Sequence, residues 1–282
     1  MVTRRAFLRA GIGGGLGLAG GLGIWGFVAR RRVAVTRTDL AVADLPATLA
    51  GLRIAILTDL HHSQFVSQED IADAVRLANA ERPDLIALLG DYVTWSDRHY
   101  IGGCAEALAP LSAAHGVFAI FGNHDDERAM AHAVARHGWD VLTDERTGIR
   151  VRGEAVTLAG LRFWTKKPSE LRRVLTGGHG PTILLAHDPR RLVEASQFRV
   201  PLVLSGHTHG GQIVLPLVGA VAARKYPVAE GVGRRNRTAL FVSRGIGTVF
   251  VPMRLNCPPE VAVVTLKTGG CPPSLHSGEA SP

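Results

Sequence analysis

The segment Leu52-Arg53-Ile54-Ala55-Ile56-Leu57-Thr58-Asp59-Leu60-His61 carries the first decision about this 282-residue chain. An apolar run of strand length is followed at once by side chains that can turn the chain and bind a metal. The same unit returns downstream. Apolar runs at 85–89, 117–121, 182–186 and 201–204 lead in turn to Gly90-Asp91, Gly122-Asn123-His124-Asp125, His187 and Gly206-His207-Thr208-His209-Gly210-Gly211-Gln212. Short apolar runs bounded by turn residues read as strands covered on both faces. Open α/β sheets put functional groups in the loops at the carboxyl ends of their strands, so five such loops can converge on one site.

The segments in between suit helices. Residues 71–80 place Ile71, Ala74, Val75, Leu77 and Ala78 at helical spacing, with Ser67 and Asp70 as an N-terminal cap. Residues 102–114 and 127–137 are Ala-rich and helix-compatible, 151–163 alternates as strands do, and 240–243 and 261–266 are β runs. Residues 33–42 read as an edge strand entering a loop at Pro46. The expectation is one layered α/β domain over 33–267, followed by a Gly/Pro/Ser-rich, disordered tail over 268–282.

Taken singly, the polar signals are weak. A D-x-H triplet is most often a surface pair, Gly-Asp a turn, and a lone histidine a satisfied core residue. The ordered series after five strands has no comparable structural reading. Its donors are oxygen and imidazole nitrogen without thiolate, which suits Mn, Fe, Zn, Co or Ni. Cys104, Cys257 and Cys271 form no C-x-x-C pair; a 257–271 disulfide and unrelated free thiols both fit.

Over residues 52–266 the series resembles the calcineurin-like metallophosphoesterase superfamily, with its pattern D-x-H, G-D, G-N-H-[DE], H, G-H-x-H. The resemblance implies a layered α/β/β/α sandwich with ligands on the loops after the strands, and two divalent metal ions. Asp59, His61 and His209 would hold the first metal, Asn123, His187 and His207 the second, and Asp91 would bridge them. The implied activity is phosphoester hydrolysis, as a phosphodiesterase or phosphatase, by a hydroxide bridging the metals. His124 would be catalytic, stabilising the phosphoryl group or protonating the leaving oxygen. Asp125 would either orient His124 or serve structure alone. His62 has no place in the pattern and reads as an exposed neighbour.

The GHTHGGQ form, Ser243-Arg244-Gly245-Ile246-Gly247 and Arg254 with Pro258-Pro259-Glu260 are similar to a branch of membrane-associated bacterial phosphodiesterases. That branch includes exported members and relatives that cleave a lipid A precursor's pyrophosphate. Protein Ser/Thr phosphatases of the superfamily continue G-D-Y-V with an Asp that pairs with the catalytic histidine. Thr94 stands here instead, and the chain lacks their long extension, which disfavours a phosphoprotein substrate.

The formal charge of +8 invites a nucleic-acid reading until it is mapped. Residues 1–32 hold Arg4, Arg5, Arg9, Arg30, Arg31 and Arg32 and no acid, while beyond them 26 basic residues face 24 acidic ones. No basic track for a phosphate backbone is apparent from composition, and Arg234-Arg235-Asn236-Arg237 reads as a solvated loop. Thr3-Arg4-Arg5-Ala6-Phe7-Leu8-Arg9 before an uncharged run to Ala29 is similar to a twin-arginine export signal, whose partner is the twin-arginine machinery. No small-x-small cleavage site ends the run, and Ala41-Val42-Ala43 lies well downstream, which favours an uncleaved anchor on the outer face of the inner membrane over a cleaved signal and a released domain.

Two alternatives stand beside this reading. A pyrophosphatase acting on a lipid-linked sugar nucleotide fits a bilayer-bound enzyme, but a lipid A precursor would require a cytoplasmic site. A non-catalytic metal-binding envelope protein fits a degenerate fold, whereas here every ligand position is filled.

Overall fold

Alternation along the strands decides the layering. In β2 (Arg53–Leu57), Ile54 and Ile56 enter one hydrophobic core, while Ala55 and Leu57 enter another on the opposite face. In β8 (Thr182–Ala186), Ile183 and Leu185 share the core of Ile54 and Ile56, while Leu184 and Ala186 enter a third. Successive side chains of a strand point to opposite faces, so a strand apolar at every position must be covered twice. The computed structural model, which describes residues 25–269, resolves this need into two stacked sheets with helices outside both. This is the expected α/β/β/α sandwich.

The first sheet runs in the order β1 (Ala34–Val42), β12 (Glu260–Thr268), β2, β3 (Leu85–Leu88), β4 (Val117–Ala119) and β5 (Asp140–Val141). The second runs β10 (Gly231–Arg235), β11 (Thr238–Val242), β9 (Leu202–Ser205), β8, β7 (Glu154–Leu161) and β6 (Glu145–Val151). β2 to β5 are parallel, as are β11, β9, β8 and β7, so the ligand-bearing strands of each sheet end on one edge. Helices α1 (Gln68–Ala80), α2 (Ile101–Leu108) and α3 (Glu127–Val134) cover the first sheet. Helices α4 (Pro168–Leu175) and α5 (Leu192–Gln197) cover the second.

The predicted cap of α1 is present in both directions. Ser67 Oγ accepts from the Asp70 N–H at 3.1 Å, and the Asp70 carboxylate accepts from the Ser67 N–H at 2.8 Å. The helix expected over 102–114 stops at Leu108, because Pro110 has no N–H to continue the ladder beyond Ala109. The stretch 151–163 yields one strand, β7, whose partner β6 was not legible because an antiparallel edge strand carries Glu145, Arg146 and Arg150. Arg234 and Arg235 are likewise not in a loop. They end β10, where Arg234 donates to the Ala41 carbonyl at 2.6 Å and the following Arg237 binds Asp44.

Residues 25–29 are helical, and the first strand begins at Ala34. The twin-arginine motif, most of the apolar run, Cys271 and the tail from 270 lie outside the described residues. Among the described residues, no helix is long and apolar enough to cross a membrane.

Candidate metal centre

Five of the site residues hold a backbone conformation that side chains disfavour. Asp59, His61, Asp91, His207 and His209 all have φ between 48° and 72°, a region costing a residue with a Cβ about 1 kcal/mol or more. Each sits just beyond a strand, where the sharp turn aims its side chain back over the sheet edge. Close approach of the loops makes glycine obligatory beside them. A Cβ on Gly206 would fall 2.4 Å from Asp59 Oδ2, and one on Gly90 2.2 Å from Gly122 N.

The side chains converge in two sets. Ligand-type atoms of Asp59, His61 and His209 lie within 4.8 Å of one another, as do those of Asp91, His187 and His207. Asp91 links them: its Oδ2 is 3.2 Å from His187 Nε2 and 3.5 Å from His61 Nε2. His61 Nε2 faces His209 Nε2 at 3.2 Å, and His209 Nε2 lies 3.3 Å from Asp59 Oδ1. Asp59 is positioned by the His207 N–H at 3.0 Å and the Thr58 hydroxyl at 2.8 Å. His187 Nδ1 donates to the Leu89 carbonyl at 2.7 Å, which turns Nε2 toward Asp91. The Tyr226 hydroxyl lies 2.8 Å from His207 Nε2, leaving Nδ1 as the nitrogen for a cation.

The electrostatics are those of a buried, charge-dense site. Burial raises Asp59 to about 6, partly offset by His187 and reinforced by Asp91. Burial would raise Asp91 too, but His187 and His61 hold it well below the usual carboxylate range. Burial opposes a charge on His187, yet Asp91 and Asp59 bring it to about 10. Burial drives His61 down to about 4 and, with His187, drives His207 to about 3. Two neutral imidazole nitrogens facing each other at 3.2 Å suit a shared cation. Asn123 Oδ1, buried without a hydrogen-bond partner, suits a cation in the second set.

Three sequence expectations need correction or refinement. His62 is buried, not exposed: its Nδ1 meets the Tyr100 carbonyl at 2.7 Å, tying the loop after β2 to the start of α2. Asp125 does not hydrogen-bond His124. Its carboxylate accepts from the backbone N–H groups of Asp91, Tyr92 and Gly122 at 2.7–2.8 Å, clamping two ligand loops together. Burial and the Asp91 charge raise Asp125 to about 7. The partner of His124 is instead the Trp95 N–H, 3.2 Å from Nδ1, with the Trp95 ring 4.4 Å away. An acceptor Nδ1 fixes the tautomer with the proton on Nε2, and burial lowers the His124 pKa.

The profile of the calcineurin-like phosphoesterases matches residues 52–211, more than half of the chain. The chain belongs to this family. It is similar to an uncharacterised metallophosphoesterase, YkuE, of Bacillus subtilis, 29% identical over 95% of this chain and 98% of the relative. It is 30% identical to the phosphodiesterase YaeI of Escherichia coli over 94% of this chain and 100% of the relative. A transmembrane protein with metallophosphoesterase domain of Danio rerio is 31% identical over 87% of this chain and 60% of its own length. This calcineurin-like phosphoesterase is accordingly a metal-dependent phosphoester hydrolase.

Four residues around the centre had no site role in the sequence reading, although Thr94 and Arg254 stood in its motifs. Thr94, whose hydroxyl is 3.2 Å from His61 Nδ1, and Trp95 could have been found from their place directly after Gly90-Asp91-Tyr92-Val93. Arg254 is fully buried, and its guanidinium binds the carbonyls of Arg244, Gly245 and Gly247 and reaches that of His209 at 3.5 Å. Tyr226, in an irregular loop, carries no local signal at all.

Proposed function

We propose that the chain is a two-metal phosphodiesterase or phosphatase of the bacterial cell envelope, held at the outer face of the inner membrane by residues 1–32. Asp59, His61 and His209 would hold one cation, Asn123, His187 and His207 the other, and Asp91 would serve both. The observation that carries this reading is Asp91 Oδ2 lying 3.5 Å from His61 Nε2 of one candidate set and 3.2 Å from His187 Nε2 of the other. When bound, the cations supply an acidified water and positive charge against the charge developing on the phosphoryl group. His124 keeps its proton on Nε2 through the Trp95 N–H and donates it to the leaving oxygen. Asp125 holds the Asp91 and Asn123 loops in register.

The decisive experiment is a substrate panel on metal-stripped protein reloaded with Mn, Fe, Zn, Co or Ni. Cleavage of bis-p-nitrophenyl phosphate with at least one metal is expected; no turnover with all ligands intact would overturn the reading. A lipid-linked pyrophosphate is a second substrate class. A cavity of about 990 Å³ opens beside the metal centre, with Trp95, Phe163, Trp164, Ile213, Val249 and Phe250 among its walls, which suits an apolar chain. Fractionation of the full chain between membrane and soluble phases tests the anchor, and blocking twin-arginine export tests the route.

A further inference from the structure

Around the mouth of this cavity, stretches distant in sequence bring bare apolar side chains together. Leu217 is fully exposed and Phe250 is 80% exposed, although a soluble domain ordinarily turns such residues inward. Trp95 stacks edge-on against Phe250 at 5.4 Å, so the two form one surface. Gln212 fixes the loop bearing Leu215, Leu217 and Val218 to the loop bearing Phe250: its amide donates to the Val249 and Val251 carbonyls and accepts from the Val249 N–H. The patch is therefore held in shape while uncovered.

Residues 25–30 join the same face. Gly26 packs on Met253, and its carbonyl accepts from the Arg254 N–H at 3.0 Å. Trp25, Phe27 and Val28 are about half exposed, and the Arg30 guanidinium binds the Phe65 carbonyl. The first described residues thus lie beside the rim, and the sequence before them is uncharged from Ala10 onward. Charge is one-sided here too. Segments 25–38, 211–228 and 246–259 contain no acidic residue, while Arg31, Arg32, Arg224 and Lys225 are exposed within them. The Trp95 loop adds one acid, Asp97, next to Arg98.

We infer that this rim docks on an anionic bilayer surface, with Leu217, Val218 and Phe250 inserted among the headgroups and the cavity mouth opening onto the lipid. Aromatic and aliphatic tips flanked by basic side chains, with Asp97 beside Arg98 as the acid among these segments, match the chemistry of that interface. A protein partner would require no such scarcity of acidic residues. The inference concerns orientation on the membrane and stands whether or not the metal assignments hold.

The test uses the full chain with Cys271→Ser, in which Cys104 and Cys257 are buried. An environment-sensitive fluorophore is placed in turn at Leu217→Cys, at Val218→Cys and, before β9 on the opposite sheet edge, at Gln197→Cys. Protein is mixed with vesicles of phosphatidylglycerol and phosphatidylethanolamine. Emission from 217 and 218 is expected to shift to shorter wavelength, with less shift on phosphatidylcholine vesicles and none from 197. Co-sedimentation with unchanged emission at 217 and 218 would overturn the inference, leaving the N-terminal segment as sole contact. Failure to co-sediment would overturn it as well. Blue-shifted emission before vesicles are added would show the rim covered by residues 1–24 or a second copy, and would equally overturn it.

Discussion

The loops beyond the strands change character within a few residues. After β3, Asp91 is buried and clamped by Asp125, and four residues on Trp95 is mostly exposed. After β9, His207 and His209 are bound into the centre, and farther along Leu217 is bare. After β11, Gly245 and Gly247 press against Asp59 and Leu60, and Phe250 then stands out into solvent. The inner parts are strained and over-tied, as a site that must hold close like charges requires. The outer parts are apolar and exposed, held in shape through Gln212. The difference teaches that one loop can serve two surfaces: the ligand is fixed by the sheet edge, and the remainder shapes whatever approaches it.

The largest effect should come from breaking the inner part at its centre. Asp91→Ala is expected to lower kcat at least about 10³-fold, with bound metal falling in elemental analysis. Retained metal with near-normal turnover would remove Asp91 from its shared role. Arg254→Leu leaves several buried carbonyls without a donor and is expected to lower stability by about 3 kcal/mol or more in denaturant unfolding. A smaller change would show that the loops after β9 and β11 do not depend on that tie. His124→Ala should reduce kcat about 10²-fold while metal content stays at the wild-type level, separating proton donation from ligation.

Acidity offers a finer probe. In the metal-free protein, His187 titrates at about 10 and Asp59 at about 6, and both must shed a proton to ligate. Metal affinity should therefore rise roughly tenfold per pH unit between 6 and 10, and fall more steeply below 6. Calorimetry across that range checks it, and a flat profile would mean that no His187 proton is displaced. The smallest effect belongs to the outer part. Leu217→Ser is expected to change unfolding free energy by less than about 0.5 kcal/mol and to leave bis-p-nitrophenyl phosphate turnover unaltered in solution. A larger loss of stability would mean that the rim is packed rather than bare.

Much of this was legible along the chain. The runs at 182–186 and 85–89 are strands β8 and β3 nearly to the residue, since apolar content on both faces is a local property. The capping box at Ser67 and Asp70 was readable for the same reason: both partners lie within one turn. What was misread depends on distant neighbours. His62 looked exposed because its covering partner, Tyr100, is 38 residues away. Local sequence left Asp125 between orienting His124 and serving structure alone; the pairing of β3 with β4 brings another loop alongside, and Asp125 binds its backbone.

The identity and order of the metal-capable residues, and their position after strands, are thus properties of local sequence. Hydrophobic period sets the strands, and the residues that must turn the chain follow directly. Which residues lie close enough to share a cation, which backbone N–H sets the His124 tautomer, and where Trp95 meets Phe250 are properties of packing. Those contacts join loops separated by tens to more than a hundred residues. Their geometry exists only once two sheets have stacked on a common core and carried the loop-bearing strand ends to one edge.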